Sequence, residues 1–169
     1  MGWPVWLTGL GASLAINAYR TLKLLALGIT VRRSNYPLCG LPGELRFITG
    51  NNILEKLELD VWVNDGASCR TESEDWSAFD SVLTQSGAFP MLHQVSVRIW
   101  WDPVDRLGVE VENGVMEILK EDKLPRLVES KAVEFNFSAD TYCCPSTWFL
   151  AGVDMNIFLE SYYMVHHNA

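Results

Sequence analysis

The segment Leu54-x-x-Leu57-x-Leu59-x-Val61 recurs thirty-eight positions later as Leu92-x-x-Val95-x-Val97-x-Ile99. Both alternate apolar with other residues, the mark of a strand buried on one face, because successive side chains of a strand point to opposite sides. Upstream, Leu22-x-x-Leu25-x-Leu27-x-Ile29 has the same grammar thirty-two residues before the Leu54 copy. Downstream, Val133-x-Phe135-x-Phe137 repeats the core triplet another thirty-eight residues on, with Leu127 standing early for its leading leucine. A repeat of this size constrains the fold strongly: no unit can bury its apolar face alone, so neighbours must stack.

The connections between these segments carry the helical period. Trp76, Phe79, Val82 and Leu83 share one face, behind the N-cap candidates Ser73 and Asp75, and Gly87 ends the run. Val111, Val115, Ile118 and Leu119 repeat that pattern before Asp122 and a break at Leu124-Pro125. Leu41-Pro42-Gly43 opens a shorter helix that carries Leu45 and Ile48 and is closed by Gly50 and Asn51. Strands joined through one helix each run parallel, because the chain must cross back over the sheet. The expectation is therefore an α/β fold, a short irregular leucine-rich-repeat-like β/α solenoid with a parallel sheet of about four strands at 25–29, 57–61, 95–99 and 133–137.

Three regions follow: an apolar N-terminal segment (1–21), the repeat domain (22–138) and an aromatic-rich tail or cap (139–169). From Thr141 onward the only charges are Asp154 and Glu160. Met155, Phe158, Leu159 and Tyr162 share a helical face suited to covering the last strand, as an open solenoid end requires. The alternative is a tail that contributes no packing.

At 169 residues one domain is expected, and the −8 net charge, from 21 acids against 13 bases, argues against binding nucleic acid through its phosphates. The charge is uneven: residues 1–43 hold Arg20, Lys23, Arg32 and Arg33 and no acid. Met1–Tyr19 is uncharged, but its positive charges follow the apolar run instead of preceding it, unlike a signal peptide. Pro4, Thr8, Gly9, Gly11, Ser13 and Asn17 also interrupt it, where a membrane span needs about 20 strongly apolar residues. A buried or poorly ordered segment is the expectation. The alternative function is a membrane-anchored protein held through residues 3–31.

Little chemistry is legible. Cys39, Cys69, Cys143 and Cys144 form no C-x-x-C, and His93, His166 and His167 lie at no metal-ligand spacing to them. Free thiols in a reducing, intracellular compartment, cytoplasmic or nuclear, are expected. Gly9-Leu10-Gly11-Ala12 lacks the third glycine, the preceding strand and the downstream acid of a dinucleotide loop. There is no G-x-S-x-G elbow, and the acids Glu72, Glu74, Asp75, Glu110 and Glu112 fall in polar linkers or helix starts. Asn136-Phe137-Ser138 fits a glycosylation acceptor only by pattern, inside a strand. The expectation is a non-enzyme without cofactor or metal.

The order LEKLELDVWV (54–63), DWSAFDSVL (75–83), FPMLHQVSVRIWW (89–101) and LPRLVESKAVEF (124–135) resembles the C-terminal leucine-rich-repeat-like region of F-box proteins of basidiomycete fungi. It covers about half of the chain. Lys131-Ala132 stands where that family often has a glycine. The family's F-box, an N-terminal helical module opening LPxEL that binds a ubiquitin-ligase scaffold, is not recognisable. Leu41-Pro42-Gly43-Glu44-Leu45 is followed at once by Gly50 and a strand, so it is read as the start of a repeat helix. The resemblance implies a protein-interaction module akin to the substrate-recognition half of such proteins, with scaffold binding in doubt and the protein partner unidentified.

If Leu57, Leu59 and Val61 and their counterparts point inward, the residues between them point out. Equal spacing places these in the rows Glu58–Ser96–Glu134, Asp60–Arg98–Asn136 and Trp62–Trp100–Ser138. Asp60 then pairs with Arg98, and Trp62 stacks on Trp100. Two indoles beside an arginine have the composition of a binding hot spot, which makes Asp60, Trp62, Arg98 and Trp100 the candidate partner-binding residues. The competing expectation is that an apolar terminal segment folds over this face and buries both indoles.

Overall fold

A computed structural model describes residues 9–17, 21–31, 38, 40–50, 52–63, 74–101 and 117–141. Helix and strand alternate: α1 (Leu10–Asn17), β1 (Leu24–Val31), α2 (Leu41–Arg46), β2 (Lys56–Val63), α3 (Glu74–Thr84), β3 (Gln94–Trp101), a π-helical turn α4 (Ile118–Lys123), α5 (Pro125–Glu129) and β4 (Glu134–Thr141). The four strands form one parallel sheet in chain order. The helices make a single layer on one face, α1 against α2, α2 against α3 and α3 against α5. Between the layers lie Leu25, Leu57, Leu59, Val61, Val95, Val97 and Ile99 from the sheet and Leu41, Leu45, Trp76, Phe79, Leu119 and Leu127 from the helices, all buried.

The first three expected strands stand, each longer than its apolar triplet, whereas the fourth begins at Glu134, just after Val133, and runs on to Thr141. Leu25 pairs with Leu57 and Leu57 with Val95, as the spacings of thirty-two and thirty-eight require. The third spacing is corrected. Val95 faces Phe135, not Val133, so β4 is offset from β3 by forty residues. The Glu134 N–H donates to the His93 carbonyl at 2.8 Å and sets this register. The Ser130 hydroxyl accepts the Ala132 and Val133 N–H groups in the turn before it. A slip of two residues leaves every apolar side chain on the same face, so alternation alone cannot detect it.

The helical faces divide similarly. Trp76, Phe79, Val82 and Leu83 are buried as expected, and Leu45 and Ile48 behind Leu41-Pro42 likewise. Ile118 is corrected: Leu119 is buried, while Ile118 is exposed, because the chain there winds as a π-turn. The expected break at Leu124-Pro125 stands: Leu124 closes α4 and also opens α5, with proline in the first turn, where its missing N–H costs nothing.

Two buried polar side chains tie the helix layer together. Asp80 on α3 accepts the N–H groups of Leu127 at 2.8 Å and Arg126 at 3.3 Å, capping α5 from outside its own chain segment. Its burial outweighs these bonds and holds its carboxyl above the ordinary aspartate range. Asn52 donates to the carbonyls of Ile48 and Ala88 and accepts the Leu54 N–H, joining the turns that follow α2 and α3. Asp75 has its carboxyl likewise raised by burial, opposed by a bond from the Leu38 N–H.

Gly9-Leu10-Gly11-Ala12 is a packing element. The Gly11 N–H donates to the Glu44 carboxylate at 2.8 Å, and a Cβ at Gly11 would run into the Glu44 carbonyl. The described part of the N-terminal segment is thus the first helix of the layer. Among the described residues no helix is long and apolar enough to cross a membrane. The four cysteines, Ser73, Val111, Val115, His166, His167 and the tail beyond Thr141 lie outside the described residues.

Candidate functional site

The face opposite the helices is built from residues that alternate with the core. Its rows are Ala26–Glu58–Ser96–Asn136, Gly28–Asp60–Arg98–Ser138 and Thr30–Trp62–Trp100–Asp140. The two-residue offset of β4 therefore corrects the expected third column: Ser138 adjoins Arg98, Asp140 adjoins Trp100, and Glu134 drops back beside Gln94.

The expected Asp60–Arg98 pair is present. Arg98 Nε lies 2.7 Å from Asp60 Oδ1, and its Nη2 donates to Oδ2 at 3.0 Å, a two-point grip that fixes the guanidinium plane. The Trp100 indole N–H donates to the same Oδ1 at 3.2 Å. One carboxylate on β2 thus orients two side chains on β3. The pair is partly solvated, with Arg98 46% and Asp60 23% exposed, so its value lies in geometry more than in stability.

Trp62 is placed differently from the expectation. Its ring lies over Gly28, where an added Cβ would come within 2.6 Å of Cζ3. The two indoles stand in register without stacking, and the ring pair among the described residues is Phe135–Phe137, 6.0 Å apart. Each tryptophan folds back one row onto the preceding strand, Trp62 onto Gly28 and Trp100 onto Asp60. Both indoles are half-buried by this leaning. The described N-terminal residues do not cover them, since α1 packs on α2.

Gly28 was not singled out by its sequence context, although an outward glycine opposite Asp60 is the signal. Gly28→Ala is expected to displace the Trp62 ring while changing stability by no more than about 1 kcal/mol, because relieving a strand glycine offsets the lost contact. Intrinsic fluorescence reads this out: emission unchanged from wild type refutes the contact.

Beside Arg98 the sheet surface dips into a shallow concavity of about 310 Å³, lined by Glu58, Ser96, Arg98, Asn136, Phe137 and Ser138. Asn136, the glycosylation-pattern residue, donates to Glu134 at 3.1 Å. At the lower edge Lys23 pairs with Glu55 at 2.8 Å, which holds the Glu55 carboxyl below the usual glutamate range. Among the described residues no three His, Cys, Asp or Glu side chains gather to hold a metal. His93 turns its ring Nδ1 toward the Met91 carbonyl at 3.3 Å. What this face offers is contact: two broad indoles, a fixed guanidinium and a polar hollow. No known family, no curated protein and no solved structure matches the chain.

Proposed function

We propose that this chain is a non-enzymatic protein-interaction module, a leucine-rich-repeat-like solenoid that grips a protein partner on the open face of its sheet. One observation carries the reading: Asp60 immobilises Arg98 and Trp100 together on an exposed face, with Trp62 beside them. Surface side chains gain little stability from such fixing, whereas a binding surface gains by losing less entropy when its partner arrives. Tryptophan and arginine are the residue types that dominate binding energetics, through large rigid area and planar directional donors. The helix–strand repeat supports the solenoid, and the ordered motifs from Leu54 to Phe135 support a likeness to the recognition region of F-box proteins. With no recognisable F-box in this sequence, the reading concerns the recognised protein, and scaffold binding is no part of it.

The test is quantitative affinity purification with the wild-type chain and the Trp62→Ala/Trp100→Ala double variant, with thermal melts of both. Truncating a hot-spot contact costs about 2 kcal/mol or more, a loss of roughly thirtyfold in affinity. The expected result is loss of a captured partner with a nearly unchanged melting midpoint. Retained capture refutes the reading; a large fall in the midpoint assigns the indoles to packing.

A further inference from the structure

The open sheet face carries an excess of carboxylates that are not all engaged. Lys56 and Arg98 stand against Glu58, Asp60, Glu134 and Asp140. Asp60 is held by Arg98 and Trp100, and Glu134 accepts from Asn136. Glu58 is half-buried in the wall of the concavity and makes no hydrogen bond or ion pair with any described residue. A carboxylate without a partner in a partly enclosed hollow is stabilised by an incoming cation. Around it, Ser96, Asn136 and Ser138 supply hydroxyl and amide groups. The Arg98 guanidinium has five N–H donors, of which the two bonds to Asp60 use two, leaving three for carbonyl oxygens of an extended segment.

We infer that the partner segment recognised here is basic: an extended stretch that places an arginine or lysine against Glu58 and an apolar side chain on the indoles. This rests on the reading of the sheet face as a partner-binding surface and specifies its chemistry. Trp62 lies four residues beyond Glu58 on the same strand, and a strand rises about 3.3 Å per residue. The Trp62 ring, however, folds back over Gly28, in the row two residues beyond Glu58, so the cationic and apolar side chains of the segment are spaced by roughly 7 Å, two residues of extended chain. The −8 charge of the whole chain favours the same partner and speeds its encounter.

The experiment titrates the isotope-labelled full chain with blocked synthetic peptides, Ser-Ser-Arg-Ser-Leu-Ser-Ser and its reversed order, and with counterparts carrying glutamate for arginine. Amide resonances of Glu58 and Ser96 and the indole N–H of Trp100 report binding. At least one arginine peptide is expected to shift all three, with neither glutamate peptide doing so. Glu58→Gln should weaken that binding at least fivefold, whereas Glu121→Gln, which removes an exposed carboxylate from α4, should weaken it less than twofold. Equal losses for the two variants mean diffuse charge attraction and overturn the inference. Binding of a glutamate peptide that is abolished by Trp62→Ala/Trp100→Ala overturns the basic chemistry but keeps the face as a binding surface. Binding of the arginine peptides that is indifferent to both the tryptophans and Glu58 overturns the inference and the surface together.

Discussion

Leu59→Ala is expected to lower the folding free energy by about 2–5 kcal/mol, while Glu58→Ala on the same strand changes it by no more than about 0.5. Leu59 is 1% exposed and sits in the middle of β2, paired with Leu27 on one side and Val97 on the other. Removing its branched end takes apolar atoms out of a close-packed interior and leaves a cavity that the flanking strands cannot close, because their hydrogen bonds hold them in register. Val97→Ala removes fewer carbons and should fall below Leu59→Ala. Urea melts of the three variants check the order. Equal midpoints for Leu59→Ala and Glu58→Ala would mean that the two faces of the sheet are interchanged.

The second large effect belongs to a residue that no period marks. Asp80→Ala leaves the Leu127 and Arg126 N–H groups at the start of α5 without their acceptor. A buried donor left unpaired costs about 1–3 kcal/mol, and loss of a helix cap costs about 1, so the expected destabilisation is about 2–3 kcal/mol. Asp80→Asn should cost less, since its amide oxygen still accepts the shorter bond from Leu127. The two variants also separate by pH. Burial raises the Asp80 carboxyl above its unfolded value of 3.8, so the folded state favours the protonated form. Its contribution is therefore fully present below pH 3.8 and declines as pH rises through the folded value. Relative to wild type, Asp80→Asn removes that decline. Parallel stability-against-pH curves for wild type and Asp80→Asn across this window would show that the Asp80 carboxyl titrates as it does in the unfolded chain.

Much of this architecture is legible in the chain. Four apolar triplets at period two placed the strands, and helical spacing at Trp76, Phe79, Val82 and Leu83 placed the face of α3. Those patterns survive folding because burial is the dominant favourable term and it selects side chains by face. The same logic put Asp60 opposite Arg98, since one register sets both the inward and the outward neighbours of a strand pair.

What alternation cannot see is any shift of two residues or any contact made by a side chain's far end. The register of β4 was decided by the His93–Glu134 backbone bond and by the turn at Ser130, both indifferent to hydrophobicity. Asp80 and Asn52 read in sequence as ordinary polar residues. Each became structural because its partners, forty-seven and thirty-six residues away, carry backbone groups that water no longer reaches. Trp62 was visible as an outward indole, but its lean over Gly28 depends on a missing Cβ one strand away. The sequence by itself determined the strands, their order and the inward and outward faces, because period-two burial is a local property of each segment. Only the tertiary structure decided which outward side chains touch and which carboxylate stays unpaired, because those contacts depend on the far ends of residues thirty and more positions apart.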